Sequence, residues 1–305
     1  MSVAASPGLD RRGFLIAASA FLLWGIFPLY WHLLKAVPAL QIVAHRVLWS
    51  TVLVVAWLSW SRGRGWLGEI LATPKLARML VLSGLCVGFN WGLYIWAVNA
   101  GHVVESSLGY FINPLFNVLI GVLFLRERLT RMQWLSVAIA GAGVLWLTFN
   151  YGSFPWIALA LAGSFGLYGL IRKLAAVDSV AGLGFENLVL FLPALGYVAW
   201  QEHLGAAHFL PNAQAWGWGI DALLIFGGVL TAIPLICFAY AVRRVPLSTI
   251  GLMQFISPTM QFLTGVFVFR EAFDHNRAVG FGFIWVALAL FMVDSLRRAR
   301  AAQAS

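Results

Sequence analysis

Long apolar segments alternate with short polar connections along almost the whole chain. Ten segments, each about 20 residues long, are centred near Leu23, Val52, Gly88, Asn113, Ala140, Phe165, Leu190, Gly228, Ser257 and Trp285. A helix of about 20 apolar residues is long enough to cross a hydrocarbon core of about 30 Å. The pattern therefore predicts an all-α membrane protein with ten transmembrane helices.

Two stretches of the chain match each other at a constant separation of 144 positions. The pairs are Ala97/Ala241, Val98/Val242, Leu108/Leu252, Phe111/Phe255, Ile112/Ile256, Pro114/Pro258, Leu119/Leu263, Gly121/Gly265 and Val122/Val266. Five segments per half is an odd number, so the second copy takes the opposite orientation in the membrane. We therefore predict two inverted five-helix repeats, typical of secondary transporters, at 13–150 and 151–296, with tails at 1–12 and 297–305.

The composition, 61% hydrophobic and 10% charged, lies outside the range of soluble domains. A net charge of +9 would suit a nucleic-acid partner, but the positions of the charges indicate another origin. With the N-terminus in the cytoplasm, sixteen of the 20 Lys and Arg residues lie inside, Arg172 and Lys173 among them, and three lie outside. This positive-inside distribution predicts cytoplasmic N- and C-termini and no nucleic-acid partner.

The two cysteines, Cys86 and Cys237, both fall inside apolar segments and predict neither a disulfide framework nor a metal site. Paired acids, a histidine-rich cluster or a serine beside a base are not found at a spacing that suits catalysis. We therefore expect no metal, no cofactor and no enzymatic activity.

Proline interrupts the fourth and the ninth segments near their centres, at Pro114 and Pro258. Because proline cannot donate a backbone hydrogen bond, the carbonyls of Tyr110 and Gln254, four residues earlier, need other partners in hydrocarbon. Polar side chains accompany both prolines at helical spacing: Ser106, Tyr110, Asn113 and Asn117, and Gln254, Ser257 and Gln261. We interpret the two segments as walls of a midplane cavity, with a purely structural kink as the alternative.

Arg46 is the one cation well inside a predicted span, and it follows His45. A charge at mid-membrane costs roughly 2.5 kcal/mol or more, so Arg46 should face the bundle interior. It either binds an anionic group of a solute or pairs with Glu105. Glu186 is the other buried charge, and we expect it not to contact Arg46. Ion coupling, if any, would use His45, Glu105 or Glu186.

Aromatic residues have two interpretations in such a chain. Tyr30 and Trp31 lie near a predicted segment end, where such rings favour the headgroup region, so we interpret them as interfacial anchors. Others lie deeper and are candidate cavity walls, with interhelical packing as the alternative. The predicted solute-binding set comprises Trp24, His45, Arg46, Asn90, Tyr94, Tyr110, Asn113, Asn117, Tyr168, Gln254 and Ser257.

Several motifs occur along the chain in a characteristic order: Trp24-Gly25, His45-Arg46-Val47, Asn90-Trp91, Ser107–Pro114, Arg131-Met132-Gln133-Trp134, Tyr168-Gly169 and Phe283–Ala289. Together they resemble the RarD group of the EamA family over essentially the whole chain. The resemblance implies a bacterial inner-membrane permease of the drug/metabolite transporter superfamily, with ten helices in two inverted halves around a central cavity. The chain departs from the family at Arg126 and Arg270, where glycine is frequent.

We therefore expect a carrier that moves a drug, an amino acid or a related metabolite by alternating access. A lipid or lipid-linked flippase is the first alternative, and a channel is the second. The expected partners are a small solute and membrane lipid, and the protein is either a monomer or a homodimer. The sequence leaves the solute, the direction of transport and the coupling ion open. The link between the RarD label and chloramphenicol sensitivity does not identify the substrate.

Overall fold

The computed structural model describes residues 10–63, 65–100, 102–151, 154–206, 209, 216–268 and 275–304. These residues form α-helices and no strands. The helices are α1 (Arg11–Leu33), α2 (Ala39–Arg62), α3 (Gly65–Leu71), α4 (Pro74–Asn99), α5 (Val103–Leu123), α6 (Arg131–Tyr151), α7 (Trp156–Leu174), α8 (Ser179–His203), α9 (Trp218–Val242), α10 (Leu247–Met253), α11 (Ile256–Leu263) and α12 (His275–Ala304), with a π-helical turn at Thr264–Val268. Each predicted segment centre lies within one of these helices.

The surface of the bundle is apolar, as a hydrocarbon solvent requires. Seven of the described helices, α1, α2, α4 and α6 to α9, are long and apolar enough to cross a membrane. The apolar parts of α5 and α12 are shorter, Leu108–Leu123 and Ala278–Asp294. Large side chains such as Phe149 and Leu192 are 78% and 73% exposed, which would be unfavourable in water. The chain is therefore an all-helical, multi-pass membrane protein, as the apolar pattern predicted.

The helices of the two halves pack in matching pairs. We match α1 to α7, α2 to α8, α4 to α9, α5 to the α10–α11 segment and α6 to α12. Helix α1 packs on α9 and α11, and its match α7 packs on α4 and α5; likewise α2 packs on α9, and α8 packs on α4. Three further interfaces, α2–α8, α5–α10 and α6–α12, each join a helix to its own match. The main interfaces formed by the first set of helices therefore have counterparts among the helices matched to them.

Three elements differ from the sequence predictions. The short helix α3 was not predicted, and it buries Trp66 and Ile70 against the bundle. Helix α1 begins at Arg11, where Asp10 caps it by accepting from the backbone N–H groups of Arg12 and Gly13 at 3.0 and 3.1 Å. Helix α12 continues to Ala304. The predicted tails 1–12 and 297–305 therefore overlap these two helices.

The two proline segments fold differently. Helix α5 runs unbroken through Pro114, whereas the second copy divides into α10 and α11 just before Pro258. At the break the backbone forms 3₁₀-type turns, in which the N–H of Ser257 donates to the carbonyl of Gln254, three residues earlier, at 3.2 Å. The Gln254 carbonyl, predicted to lose its helical partner, is thus satisfied locally.

Candidate functional site

A cavity of about 410 Å³ lies between the halves. Its walls come from the later parts of α1 and α4, the earlier parts of α2, α5 and α7, the middle of α9 and the α10–α11 segment. It therefore occupies one end of the bundle, the cavity end. The opposite end, the closed end, carries the C-terminal ends of α5, α7 and α9 and the start of α10. Tyr94 and Tyr110 in the cavity wall keep 36% and 39% of their surface accessible, so their side chains are free to contact a ligand in the cavity.

Arg46 is the one charged side chain among the described residues that line the cavity. Its Nε donates to the hydroxyl of Thr231 at 2.9 Å, and that hydroxyl donates in turn to the carbonyl of Gly227. Its guanidinium carbon lies 4.7 Å from the ring centroid of Trp31 and 5.2 Å from that of Trp91. Two indoles and one hydroxyl thus fix the cation in the wall, because a guanidinium is attracted to aromatic faces.

Amide side chains line the same cavity, and their protein contacts leave part of their hydrogen-bonding capacity for a ligand. Asn90 donates from Nδ2 to the carbonyl of Leu161 at 2.8 Å and to the hydroxyl of Ser164 at 3.0 Å. The buried side-chain oxygen of Asn113 has no hydrogen-bond partner in the structure. Because a buried acceptor without a partner is costly, Asn113 is positioned for a donor supplied by a ligand or water.

The α11 wall is tied to α1. Ser257 donates from Oγ to the carbonyl of Phe21 at 2.7 Å, and Gln261 donates from Nε2 to the carbonyl of Trp24 at 3.2 Å. Gly25 permits this approach, since a β-carbon there would lie 2.5 Å from Cβ of Met260. These contacts hold the broken segment in position against the first half.

The rest of the cavity wall is largely aromatic. Trp24 packs edge-on against Phe165 with centroids 6.0 Å apart, and the rings of Tyr94 and Tyr110 lie 5.8 Å apart. The other aromatic side chains in the lining are Phe21, Phe27, Trp31 and Trp91. A flat or apolar body would therefore find complementary surface here, while its polar groups would meet Arg46 and the amides.

Most of the predicted solute-binding residues come together in this cavity. The residues of that set in its lining are Trp24, Arg46, Asn90, Tyr94, Tyr110, Asn113, Gln254 and Ser257. Pro258 lines the cavity too, whereas Pro114 does not. Instead, the backbone of Pro114 lies against Gly251 of α10, where a β-carbon would overlap the Pro114 carbonyl oxygen.

Three predicted residues lie elsewhere, and each has a physical reason. His45 is 2% exposed and packs on Phe209 with ring centroids 4.6 Å apart, on the side of α2 that does not line the cavity. Asn117 is fully buried and donates to the Gln254 side chain, so it supports the cavity wall from behind. Tyr168 is fully buried and stacks on Phe238. None of the three is part of the lining of this cavity.

The second buried charge, Glu186, belongs to a separate cluster. Its Oε1 lies 3.5 Å from Nη1 of Arg172 and accepts from the hydroxyl of Ser83 at 2.6 Å. Glu186 and Arg172 are each 1% exposed, so Arg172, in the last turn of α7, is a buried member of an ion pair. The predicted alternative pairing of Arg46 with Glu105 falls on a side chain outside the described residues.

Sequence reasoning missed the three side chains that hold Arg46, namely Trp31, Trp91 and Thr231. Trp31 was interpreted as an interfacial anchor, yet its ring faces the guanidinium. Thr231 was not singled out, because one hydroxyl within an apolar helix is indistinguishable from the many that bond to their own backbone. No sequence signal connects either residue to Arg46, which is 185 positions from Thr231.

Comparisons with known proteins agree with the sequence resemblance. Residues 11–149 match the model of the EamA-like transporter family. The chain is 47% identical over 295 residues to the protein RarD of Streptomyces exfoliatus, covering 97% of this chain and 92% of that protein. It is 43% identical over 295 residues to an uncharacterized transporter of Vibrio cholerae, covering 96% of each. A solved crystal structure has the same fold, with a TM-score of 0.70 at 21% identity, and covers 93% of this chain and 98% of that one.

Proposed function

Because the chain belongs to the RarD group of the EamA family of membrane transporters, we propose that it carries a small organic solute across the bacterial inner membrane by alternating access. The solute would occupy the cavity between two inverted five-helix halves. The termini would lie in the cytoplasm, so the cavity end would face outward. The observation that carries the proposal is a cavity near one end of the bundle, in which Arg46 is the one charged group among the described lining residues and Asn113 presents an acceptor without a partner.

Alternating access is supported by the exchange symmetry of the packing. When two related halves pack through matching interfaces, exchanging their conformations turns a cavity open at one end into a cavity open at the other. An odd number of spans per half gives the inversion that this exchange requires. The α10 helix at the closed end is buried along its whole length, whereas Tyr110 of its match α5 is exposed to the cavity.

The chemistry of the lining favours a solute with an anionic group and at least one hydrogen-bond donor. Arg46 gives the cavity a positive charge, and its described hydrogen bond uses only Nε. An anion would therefore bind to the terminal nitrogens of the guanidinium, which suit a carboxylate or phosphate. The oxygens of Asn90 and Asn113 would accept from a donor group, while the aromatic walls would enclose an apolar body.

Uptake into proteoliposomes tests this proposal. Labelled amino acids, amphenicols and nucleosides would be offered to wild type, Arg46→Ala and Asn113→Ala, with Arg62→Ala as the matched control. Arg62 lies on the same helix but at its far end, where it pairs with Asp178 outside the cavity. We expect saturable uptake of one solute class, lost in Arg46→Ala, reduced in Asn113→Ala and kept in Arg62→Ala. Loss of one charge-assisted contact of about 1.5–3 kcal/mol corresponds to roughly tenfold or more in affinity.

Other outcomes would change the assignment. Uptake that does not saturate and cannot be driven by a counter-gradient would indicate a channel. Movement of fluorescent lipid without uptake of any solute would indicate a flippase. If Glu105→Gln abolished uptake as fully as Arg46→Ala, the arginine would act through a structural ion pair and not through the solute.

A further inference from the structure

The closed end is held by a contact between the loop that follows α5 and the start of α10. The loop after α5 brings Glu127 onto the start of α10, where Oε1 accepts from the N–H of Leu247 at 2.7 Å. Its Oε2 accepts from the N–H and the hydroxyl of Ser248 at 2.9 and 2.7 Å. One carboxylate thus receives three hydrogen bonds from the other half of the chain.

Gly121 makes this contact possible. A β-carbon at Gly121 would lie 2.6 Å from Oε2 of Glu127 and 2.9 Å from the N–H nitrogen of Ser248. No side chain therefore fits between α5, the returning loop and α10. The loop also holds Arg126 at a φ of 53°, a conformation that residues other than glycine seldom adopt.

Lys173 at the end of α7 completes the contact. Its Nζ lies 3.7 Å from Oε1 of Glu127 and donates to the carbonyls of Val242 and Val245, at the end of α9, at 3.0 and 2.9 Å. One carboxylate and one ammonium therefore join α5, α7, α9 and α10 at the closed end.

The neighbouring residue, Arg172, faces a different partner and provides a comparison within the same helix end. Arg172 and Glu186 are each 1% exposed, and separating them would leave two buried charges without partners. Lys173 and Glu127 are 20% and 14% exposed, so water can hydrate both when they separate. Of the two ion pairs, the one with Glu127 is suited to open and close, and the one with Glu186 is suited to stay formed.

We propose that Glu127 and Lys173 form a latch that closes the end of the carrier opposite the cavity, and that the solute crosses only after this latch opens. The proposal rests on the alternating access proposed above. In the closed latch, α10 is held against α5, with Gly251 packed on Pro114. When the latch opens, these two helices separate at this end and water reaches the surface between them.

Cysteine labelling tests the latch without knowledge of the solute. In a background with Cys86→Ser and Cys237→Ser, the reporter is Val118→Cys, which is 2% exposed on α5 and lies next to Gly251. A second reporter, Leu58→Cys, is fully buried at the same end, but on α2 and away from the latch. Labelling by a water-soluble maleimide is followed in nanodiscs, where the reagent reaches both faces.

Glu127→Gln is expected to raise the labelling rate at Val118→Cys about tenfold, which corresponds to about 1.4 kcal/mol of lost hydrogen bonding. The reason is that glutamine has an NH₂ group in place of one of the two carboxylate oxygens. This NH₂ group, a donor, would face an N–H or O–H donor of Leu247 or Ser248. Ser248→Ala, which removes a single hydroxyl donor, and Lys173→Gln should raise the rate in the same direction by less. Arg62→Gln, which removes an exposed ion pair at the same end, should not change it.

The outcomes separate the latch from the proposed function. An unchanged labelling rate in folded Glu127→Gln would overturn the latch, even if the wild type shows saturable uptake. If Glu127→Gln does not fold, unchanged rates in Lys173→Gln and Ser248→Ala would overturn it. An equal rise at Leu58→Cys would also overturn it, since that would be a general loosening of the bundle. A rise in the labelling rate at Val118→Cys but not at Leu58→Cys supports the latch. If this rise were found in a protein that shows no saturable uptake of any solute, the carrier proposal would be overturned and the latch would not.

Discussion

The two proline segments come from matching sequence yet take up different structures. In the first half, α5 passes through Pro114 without a break, and the proline packs on Gly251 outside the cavity. In the second half, the chain breaks at Gln254, and Pro258 forms part of the cavity wall. A proline removes one backbone hydrogen bond in both places. The motif therefore permits a break without imposing one.

The neighbours of each segment explain the difference. At the break in the second segment, the side chain of Gln254 accepts from Asn117, and Ser257 donates to the carbonyl of Phe21. Backbone hydrogen bonds between residues three apart satisfy groups that the broken helix leaves free, and the two side-chain contacts hold the segment against its neighbours. In the first segment, the Pro114 carbonyl lies so close to the backbone of Gly251 that no side chain fits between them. Tertiary partners thus decide which copy is interrupted.

The largest effect is expected where the two segments touch. Gly251→Ala would place a β-carbon against the Pro114 carbonyl, and since neither backbone can move easily, the cost should be about 1–3 kcal/mol or more. Thermal unfolding of the purified protein in detergent should show a clear loss of stability and of folded yield. Gly92→Ala is the matched control, because a β-carbon at Gly92 meets nothing within 4 Å. Equal melting temperatures for the two variants would show that the segments do not touch as described.

The prolines themselves should differ in a transport assay. Pro258→Ala restores an N–H that can bond to the carbonyl of Gln254, which would straighten the break and move Ser257 out of the cavity wall. A displacement of about 1 Å in a binding site can cost up to about a hundredfold in rate, and we expect about tenfold here. Pro114→Ala, outside the cavity, should leave uptake within about twofold. Equal losses in the two variants would contradict the difference between the copies.

The smallest expected effect concerns a single bond that holds the broken segment. Ser257→Ala removes the hydrogen bond to the Phe21 carbonyl, worth about 1 kcal/mol, and should lower the melting temperature by about 2–4 °C. Ser136→Ala is the comparison, because the Ser136 hydroxyl donates within its own helix, to the carbonyl of Met132. If the two substitutions lowered the melting temperature equally, the hydrogen bond between α11 and α1 would stabilise the protein no more than a hydrogen bond within one helix does.

Much of the fold and part of the site followed from the sequence. Each predicted segment centre lies in a helix, and seven of the described helices are long and apolar enough to cross a membrane, because a hydrocarbon solvent demands long runs of apolar residues, a signal that needs no knowledge of contacts. Asn113 and Ser257 were found in the cavity lining because each flanks a proline at helical spacing. Asn117 follows the same spacing as Asn113 but turns to Gln254, since a stripe along a helix is wider than the part that borders a cavity.

The sequence by itself determined the membrane environment and the family, because the length of apolar segments and the order of motifs can be read along the chain without knowledge of contacts. Only the tertiary structure decided which of two equivalent prolines breaks its helix. It also paired Arg46 with Trp31 and Thr231, and it directed Arg172 and Lys173, adjacent in the chain, to Glu186 and Glu127. The physical reason is that hydrogen bonds and ion pairs depend on angles and on distances of a few ångströms between residues remote in the chain. No periodicity in the sequence records those distances.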